Sequence, residues 1–113
     1  METGYPILAL TLAAAGPVEA HRCVTLAGAQ ATAQGAKMRG VSQYDAGDGQ
    51  AFAATLNGIA VIEAGAAIVK DDALICDAQG RVIPATGAAG VYVLGDALDA
   101  AVGAGSFLQV FLR

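Results

Sequence analysis

The fold is decided by the stretch ALICDAQGRVIP, which runs from Ala73 to Pro84. Two apolar arms flank Asp-Ala-Gln-Gly, in which the Asp side chain can cap its own turn and Gly can adopt a positive φ without a Cβ clash. The pattern therefore predicts a β-hairpin. Because Pro84 has no N–H to donate to a ladder, it marks the end of its strand or an edge of the sheet.

Turn chemistry of the same kind divides the rest of the chain into short apolar segments. A second hairpin is predicted around residues 44–50, with arms at 38–43 and 51–56. Asn57-Gly58 is the strongest two-residue turn signal in the chain and predicts that the strand at 59–63 is a separate one. Further strands are predicted at 5–12, 91–94 and 106–112, the first of them opening on an extended arm because Pro6 biases Tyr5 away from helix.

Alanine complicates this interpretation because it is the best helix former, and the chain contains 27 alanines. Its 15 glycines, however, interrupt nearly every alanine-rich stretch, and only Ala97–Val102 is left room for a short helical turn. The sequence predicts an all-β fold, a small β-barrel or sandwich of about seven or eight short strands. We expect residues 1–12 to form an N-terminal arm and first strand, and residues 13–113 to form a single β domain.

Two parts of the chain are weakly similar to each other. Gly40-Val41-Ser42, with Asp45-Ala46, Gly47, Gly49 and Phe52 after it, returns as Gly95-Asp96-Ala97, with Asp99-Ala100, Gly103, Gly105 and Phe107 after it. Two copies are too few for a solenoid, which needs at least three repeats. They suit two related hairpins that close one barrel.

Charge and hydropathy exclude two classes of partner. The net charge is −4, and no cluster of basic residues is present for a nucleic-acid backbone to bind. The longest uncharged run, Thr3 to Val18, is shorter than the roughly 20 apolar residues of a membrane-spanning helix, and no basic segment of a secretory signal precedes it. We therefore expect a soluble protein that binds neither nucleic acid nor membrane.

The residues for catalysis are scarce. His21 is the only histidine, and Ser42 and Ser106 are the only serines; neither serine lies in a Gly-x-Ser-x-Gly turn. His21 is interpreted as a surface or strand-edge residue. No Gly-Lys-Ser/Thr phosphate loop and no three-glycine dinucleotide motif is present. The sequence thus predicts a protein that is not an enzyme.

Metal sites are poorly supported as well. Lys70-Asp71-Asp72 with Asp77 lacks the alternating acids, central Gly and closing Glu of a calcium loop, and Asp45 and Asp48 lack a third ligand. Two cysteines and one histidine do not make a four-ligand zinc site. Cys23 and Cys76 are interpreted as two buried small apolar residues, with a disulfide as the alternative. No cofactor or metal is expected.

The order of these segments resembles a known family. Gly58-Ile59-Ala60-Val61-Ile62-Glu63-Ala64-Gly65 is followed by Lys70-Asp71-Asp72-Ala73-Leu74, by Asp77-Ala78-Gln79-Gly80-Arg81 and by Gly95-Asp96-Ala97. This order, over residues 20 to 113, resembles the capsid cement (decoration) proteins of tailed bacteriophages.

The resemblance implies a β-rich structural virion protein on the outside of an icosahedral head. Such proteins clamp and stabilise neighbouring major capsid protein subunits, often as trimers or other small homo-oligomers, without a cofactor or catalytic residues. The location implied is the outer capsid surface, and the host cytoplasm during assembly. Two other classes stay open: a small β-barrel ligand-binding module using Asp71, Asp72 and Asp77, and a tail-tube or pilus subunit.

The N-terminal arm is the predicted interface. Its residues Tyr5, Pro6, Ile7 and Leu8 are apolar and stiffened by proline, and such an end is hard to bury in so small a core. An apolar extended segment can also add a strand to the exposed sheet edge of a partner. We therefore predict that these four residues contact the capsid or another subunit.

Overall fold

The computed structural model of the chain describes residues 5–85 and 91–112, and these form one eight-stranded antiparallel sheet. The strands are β1 (Tyr5–Ala13), β2 (Cys23–Val24), β3 (Gly40–Ser42), β4 (Ala51–Glu63), β5 (Ala73–Cys76), β6 (Val82–Pro84), β7 (Gly95–Ala97) and β8 (Phe107–Leu112). Their order is β2-β3-β4-β8-β7-β5-β6, and β1 pairs with β4 beside this path. No helix that could span a membrane occurs among the described residues. The all-β prediction is confirmed.

The two ends of the sheet path approach each other, so the sheet is nearly closed into a barrel. Val82 of β6 forms a parallel bridge with Ala64, and the N–H of Gly65 donates to the Val82 carbonyl at 2.8 Å. At the other end, the N–H of Cys23 in β2 donates to the Gly80 carbonyl at 2.7 Å. These bonds favour the barrel over the sandwich.

The hairpin that opened the sequence analysis is confirmed. Ile75 of β5 pairs with Ile83 of β6, and Gly80 in the turn has a φ of 83°. Asp77 caps this turn, since its Oδ1 accepts the N–H groups of Gln79 at 2.8 Å and Arg81 at 2.9 Å. Pro84 ends β6, as its missing N–H predicts. The second hairpin is confirmed too, because β3 pairs with the first half of β4.

The predicted turn at Asn57-Gly58 is wrong. Both residues lie inside β4, which runs unbroken for 13 residues. The strand changes partner here: β1 pairs with its first part, β8 with its last part, and Gly58 faces Pro6 on one side and Leu112 on the other. A φ of 96° at Gly58 lets the strand bend between the two partners, so the glycine serves a change of partner instead of a reversal.

One prediction in the last third of the chain is also wrong, and the short helical turn that the sequence allowed there is not formed. Val91–Leu94 is not a strand; the ladder begins at Gly95, where a Cβ would lie 2.2 Å from the Phe111 carbonyl oxygen and only glycine permits so close an approach. Ala97–Val102 contains no helical turn, because the N–H of Ala97 donates to the Asp72 carbonyl and the N–H of Ala101 donates to the Ile68 carbonyl. Bonds to distant segments thus override the local preference of alanine.

The sheet consists of two copies of one hydrogen-bonded unit, residues 9–56 (repeat 1) and 59–112 (repeat 2). The pairings β1–β4, β2–β3 and β3–β4 of repeat 1 recur in the same register as β4–β8, β5–β7 and β7–β8 in repeat 2, so β4 supplies the last strand of repeat 1 and the first of repeat 2. The β5–β6 ladder of repeat 2 corresponds in repeat 1 only to the bridge between Val24 and Gln30. Backbone hydrogen bonds recur at equivalent positions. Those of repeat 1 join Val18 to Ala46, His21 to Ser42 and Gly49 to Ala14. Their equivalents in repeat 2 join, in the same order, Ile68 to Ala101, Asp71 to Ala97 and Gly105 to Ala64. The similarity seen in the sequence is therefore a structural duplication, with two corrections. Ala101, and not Ala100, is equivalent to Ala46. Leu108 is equivalent to Phe52, and Phe107 is equivalent to Ala51.

The core is duplicated as well. Six buried residues pack together in repeat 1: Ala14, Val18, Val24, Ala46, Phe52 and Ala54. Their equivalents all lie in the larger core cluster: Ala64, Ile68, Leu74, Ala101, Leu108 and Val110. Small residues recur at matched positions because the strands of each repeat approach closely, which explains the alanine content without helices.

Candidate functional site

Among residues 5–85 and 91–112, β1 pairs with β4 alone, which leaves its outer edge open to a partner. The N–H of Ala14 donates to the Gln50 carbonyl at 2.8 Å, and this bond makes Ala13 and Ala51 a non-hydrogen-bonded pair of the β1–β4 ladder. The N–H and C=O of Ala13 therefore point away from β4. Since the pattern alternates every second residue, those of Ala9 and Thr11 point the same way.

This edge has little of the protection that edge strands usually carry. The strand YPILALTLA holds no charged residue, and Ala9, Leu10 and Thr11 are exposed. Natural sheets normally shield an edge with charges, prolines or bulges. Here Pro6 and the two register irregularities lie before Ala9, so the stretch from Ala9 to Ala13 is a regular and uncharged template for another segment.

The predicted interface residues belong to the same strand. The backbone of Tyr5 pairs with Ile59 and that of Pro6 with Gly58, so the expected extended opening strand is confirmed. The side chains of Tyr5, Pro6, Ile7 and Leu8 lie outside the described part of the chain, and their role in an interface stays a prediction. The sequence did not single out Ala9–Ala13, because nothing local distinguishes an edge strand from a central one.

The equivalent edge on β4 is occupied by the chain itself. The N–H of Glu63 donates to the His21 carbonyl at 3.1 Å, and His21 Nδ1 lies 3.1 Å from the Val61 carbonyl oxygen. Arg22 adds an ion pair with Glu63 at 3.3 Å. His21 is thus the strand-edge residue that the sequence predicted, and it joins repeat 1 to repeat 2.

His21 also borders a groove of about 280 Å³, together with Ser42, Tyr44 and Thr55 among others. Its ring meets Phe107 edge-on at 5.4 Å between centroids. The Ser42 hydroxyl donates to the Glu19 carbonyl. The side chains of His21 and Ser42 are therefore each hydrogen-bonded to backbone groups and not to each other.

The acidic residues considered for a ligand site stabilise turns. Asp72 Oδ2 accepts the N–H of Val69 at 2.9 Å, and Asp77 forms an ion pair with Arg81 at 3.2 Å besides capping its own turn. Within residues 5–85 and 91–112, no group of three or more His, Cys, Asp or Glu side chains could hold a metal ion. The alternative of a ligand site on Asp71, Asp72 and Asp77 gains no geometric support.

Cys23 and Cys76 are free and buried, as the first interpretation predicts. Burial raises the pKa of both thiols, most strongly at Cys23. Cys76 Sγ donates towards the carbonyls of Ala33 at 3.4 Å and Ala36 at 3.5 Å. Both cysteines act as small core residues.

Comparison with known families matches residues 1–112 to the phage cement proteins. The chain belongs to the phage cement protein family. The predicted resemblance is confirmed, and the protein is a structural, capsid-associated virion component. A search of curated proteins finds no match.

A solved structure has the same fold. The cement protein superposes on the N base of the head fiber gp8.5 of bacteriophage phi29 with a TM-score of 0.73 and 19% sequence identity, over 94% of this chain and 93% of that one. At this identity the likeness concerns the fold alone. The same small duplicated sheet therefore occurs in another protein associated with a phage head.

Proposed function

We propose that this cement protein binds the outer surface of a phage head and stabilises the lattice of the major capsid protein. The observation that carries the proposal is the uncharged opening segment of β1, Tyr5–Leu8, whose backbone extends along the edge of the sheet. Residues 1–12 act as arm and first strand, and residues 13–113 form the body. The active species is a homo-oligomer, with a trimer favoured, and the protein passes through the host cytoplasm during assembly. The head-associated fiber base with the same fold supports this placement.

Strand addition gives this surface a physical mechanism. An extended segment of the capsid protein that pairs with the Tyr5–Leu8 part of β1 gains main-chain hydrogen bonds, each worth about 1 kcal/mol net. A contact of a few bonds is weak by itself. Because an oligomer presents several arms to a symmetric shell, binding the second arm is favoured by the high effective concentration that the first creates.

Truncation of the arm tests the proposal. Heads that lack the protein are mixed with the full chain, with a chain lacking residues 1–4, or with a chain lacking residues 1–8; co-sedimentation and the thermal disruption temperature of the heads are measured. We expect the chain lacking 1–4 to bind like the full chain, and the chain lacking 1–8 to bind at least tenfold more weakly because it has lost Tyr5–Leu8.

Circular dichroism of the shortened chains shows whether the β domain is intact. If the full chain neither co-sediments with heads nor raises their disruption temperature, the head-stabilising function is wrong. If the chain lacking residues 1–8 binds as well as the full chain, the interface lies elsewhere. Electron microscopy of the purified protein adds a separate test, since open filaments would favour the tail or pilus alternative.

A further inference from the structure

The two repeats contain the same turn and the same edge strand, yet the chain joins only one turn to one edge. We call residues 19–22 the His21 turn and residues 69–72 the Asp71 turn. The His21 turn lies on the outer edge of β4, where the His21 carbonyl accepts the N–H of Glu63. The equivalent turn and the equivalent edge, the Asp71 turn and β1, do not meet in the chain.

The Asp71 turn has the conformation of the turn that binds. Asp71 has a φ of 75° and His21 a φ of 61°, the two positive values at non-glycine positions among the described residues. The left-handed conformation costs an L-residue about 1–2 kcal/mol and is retained where the surrounding structure requires it. The N–H of Asp71 donates to the Ala97 carbonyl, and in the same way the N–H of His21 donates to the Ser42 carbonyl. Within the described chain, the Asp71 carbonyl has no backbone donor.

The edge of β1 is equivalent to the bound edge of β4. Register places Ala13 at the position of Glu63 and Thr11 at that of Val61. The Ala13 carbonyl is approached by another turn, since a Cβ on Gly28 would lie 2.0 Å from its oxygen. The open part of the edge therefore runs from Ala9 to the N–H of Ala13, which includes the group equivalent to the donor of Glu63.

One carboxylate is lost at an equivalent position on each half of the unmade contact, although the Asp71 turn itself carries Lys70, Asp71 and Asp72. Repeat 1 has Glu19 on its turn, 64% exposed and paired with Arg22, and Glu63 on the edge it binds. The equivalent residues of the unmade contact are Val69, 68% exposed, and Ala13. At these two positions apolar groups replace both carboxylates, so neither position brings a carboxylate into the contact.

The loop beside the Asp71 turn adds a second exposed valine. Gln50 closes its loop on Gly47, and Ser106 closes the equivalent loop on Gly103, so Val102 is a one-residue insertion of repeat 2. Val102 follows Ala101, the bridge partner of Ile68, and is 94% exposed. Val69 and Val102 therefore flank the same bridge and form an exposed apolar patch beside the charged residues of the turn.

We infer that the Asp71 turn of one copy binds the β1 edge of a second copy of this chain. The Asp71 carbonyl accepts the N–H of Ala13 in the neighbouring copy, as His21 accepts that of Glu63 within the chain. Because turn and edge lie on different parts of the surface, the contact is head-to-tail, and it closes into a ring when the rotation between copies allows. The inference gives an interface to the proposed homo-oligomer and leaves Tyr5–Leu8 free for the capsid.

Variants of each half test the contact on the purified full-length chain without heads, by sedimentation velocity. Thr11→Pro removes an outward N–H of β1 and none of the bonds to β4. Val69→Glu restores the charge that repeat 1 carries at Glu19. Tyr44→Glu, at a position 62% exposed in the turn between β3 and β4, on the side of β4 opposite β1, is the matched control. We expect Thr11→Pro and Val69→Glu to sediment as single chains under conditions where the wild type and Tyr44→Glu are oligomers.

Cysteine pairing tests the geometry directly. A chain with Thr11→Cys is mixed with a chain carrying Asp71→Cys under mild oxidation; the native cysteines are buried and do not compete. We expect a disulfide-linked heterodimer in the mixture and little crosslinking in either chain alone. A wild type that is monomeric at 100 times the working concentration, an oligomer unaffected by Val69→Glu, or no heterodimer in the mixture would each overturn the inference. These assays use no heads, so a failure of head binding leaves their result independent.

Discussion

Replacement of Gly95 by alanine tests whether close backbone approach decides where β7 forms. Gly95 pairs with Leu112, and an added Cβ would lie 2.2 Å from the Phe111 carbonyl oxygen and 2.9 Å from its carbon. Both atoms belong to the backbone of β8 and cannot rotate away. Ordinary van der Waals contact begins at about 3.4 Å, so β7 and β8 would have to separate by about 1 Å.

The separation sets the expected magnitude. β7 pairs with β8 over three residues, from Gly95 to Ala97, and a 1 Å shift breaks about two hydrogen bonds of this short ladder. At about 1 kcal/mol for each bond, with some loss of packing around Ala97, we expect a loss of about 2–3 kcal/mol in the free energy of unfolding. For a chain of this size, the melting temperature should fall by about 10 °C.

The assay is urea denaturation followed by circular dichroism, with two other glycines for comparison. Gly103→Ala is the neutral control, because no atom lies within 4 Å of its added Cβ. Gly40 is the equivalent of Gly95 in repeat 1, and its Cβ would lie 2.6 Å from Leu56 Cδ2, the movable end of a side chain, and 2.8 Å from the Thr55 carbonyl oxygen. We therefore expect the stability loss to rank Gly95→Ala, Gly40→Ala, Gly103→Ala. A Gly95→Ala protein within 0.5 kcal/mol of the wild type would refute the reasoning.

Three further predictions concern the core and the charged contacts. Arg22→Ala should lower the free energy of unfolding by about 2 kcal/mol, because the Arg22 side chain is only 13% exposed and pairs with Glu63. Arg39→Ala removes an exposed hydrogen bond and should cost less than about 0.5 kcal/mol. Equal losses for the two variants in urea denaturation would contradict this prediction. Burial raises the pKa of the Cys23 thiol, so the folded state loses stability as the pH rises above the ordinary thiol value of 9.0. The urea midpoint should therefore fall more steeply between about pH 7 and 10 for the wild type than for Cys23→Ala. Parallel curves for the two proteins would contradict this prediction. Ile62→Ala should cost about 3 kcal/mol, since Ile62 is fully buried, and a loss below 1 kcal/mol would show that the core is not packed around it.

Prediction from the sequence succeeded where a few neighbouring residues contain the whole cause. The hairpin at 73–84 follows from an Asp that caps its own turn and a Gly that reaches positive φ, and both are local properties. It failed at Asn57-Gly58, because the same dipeptide suits a turn or a bend within a strand. The dipeptide continues the strand because β1 and β8, which are distant in sequence, pair with β4 on either side of Gly58.

The candidate site shows the same division. An apolar, uncharged opening strand with Pro6 indicated an arm that could contact a partner, and the structure confirms its extended backbone. Whether the outer groups of Ala13 and Thr11 are open depends on which segments fold against β1. Composition contains no such information, since the equivalent edge of β4 is covered by a turn that lies far from it in the chain.

The sequence by itself determined the all-β class, the turns with internal caps and the family resemblance, because glycine conformation, side-chain capping and motif order are written in neighbouring residues. Only the tertiary structure decided that the weak internal similarity is a structural duplication, that one of two equivalent edges is bound and the other open, and that Val102 is an insertion. The physical reason is that strand pairing is non-local: hydrogen bonds between segments far apart in the chain decide which edge, turn and side chain stay exposed.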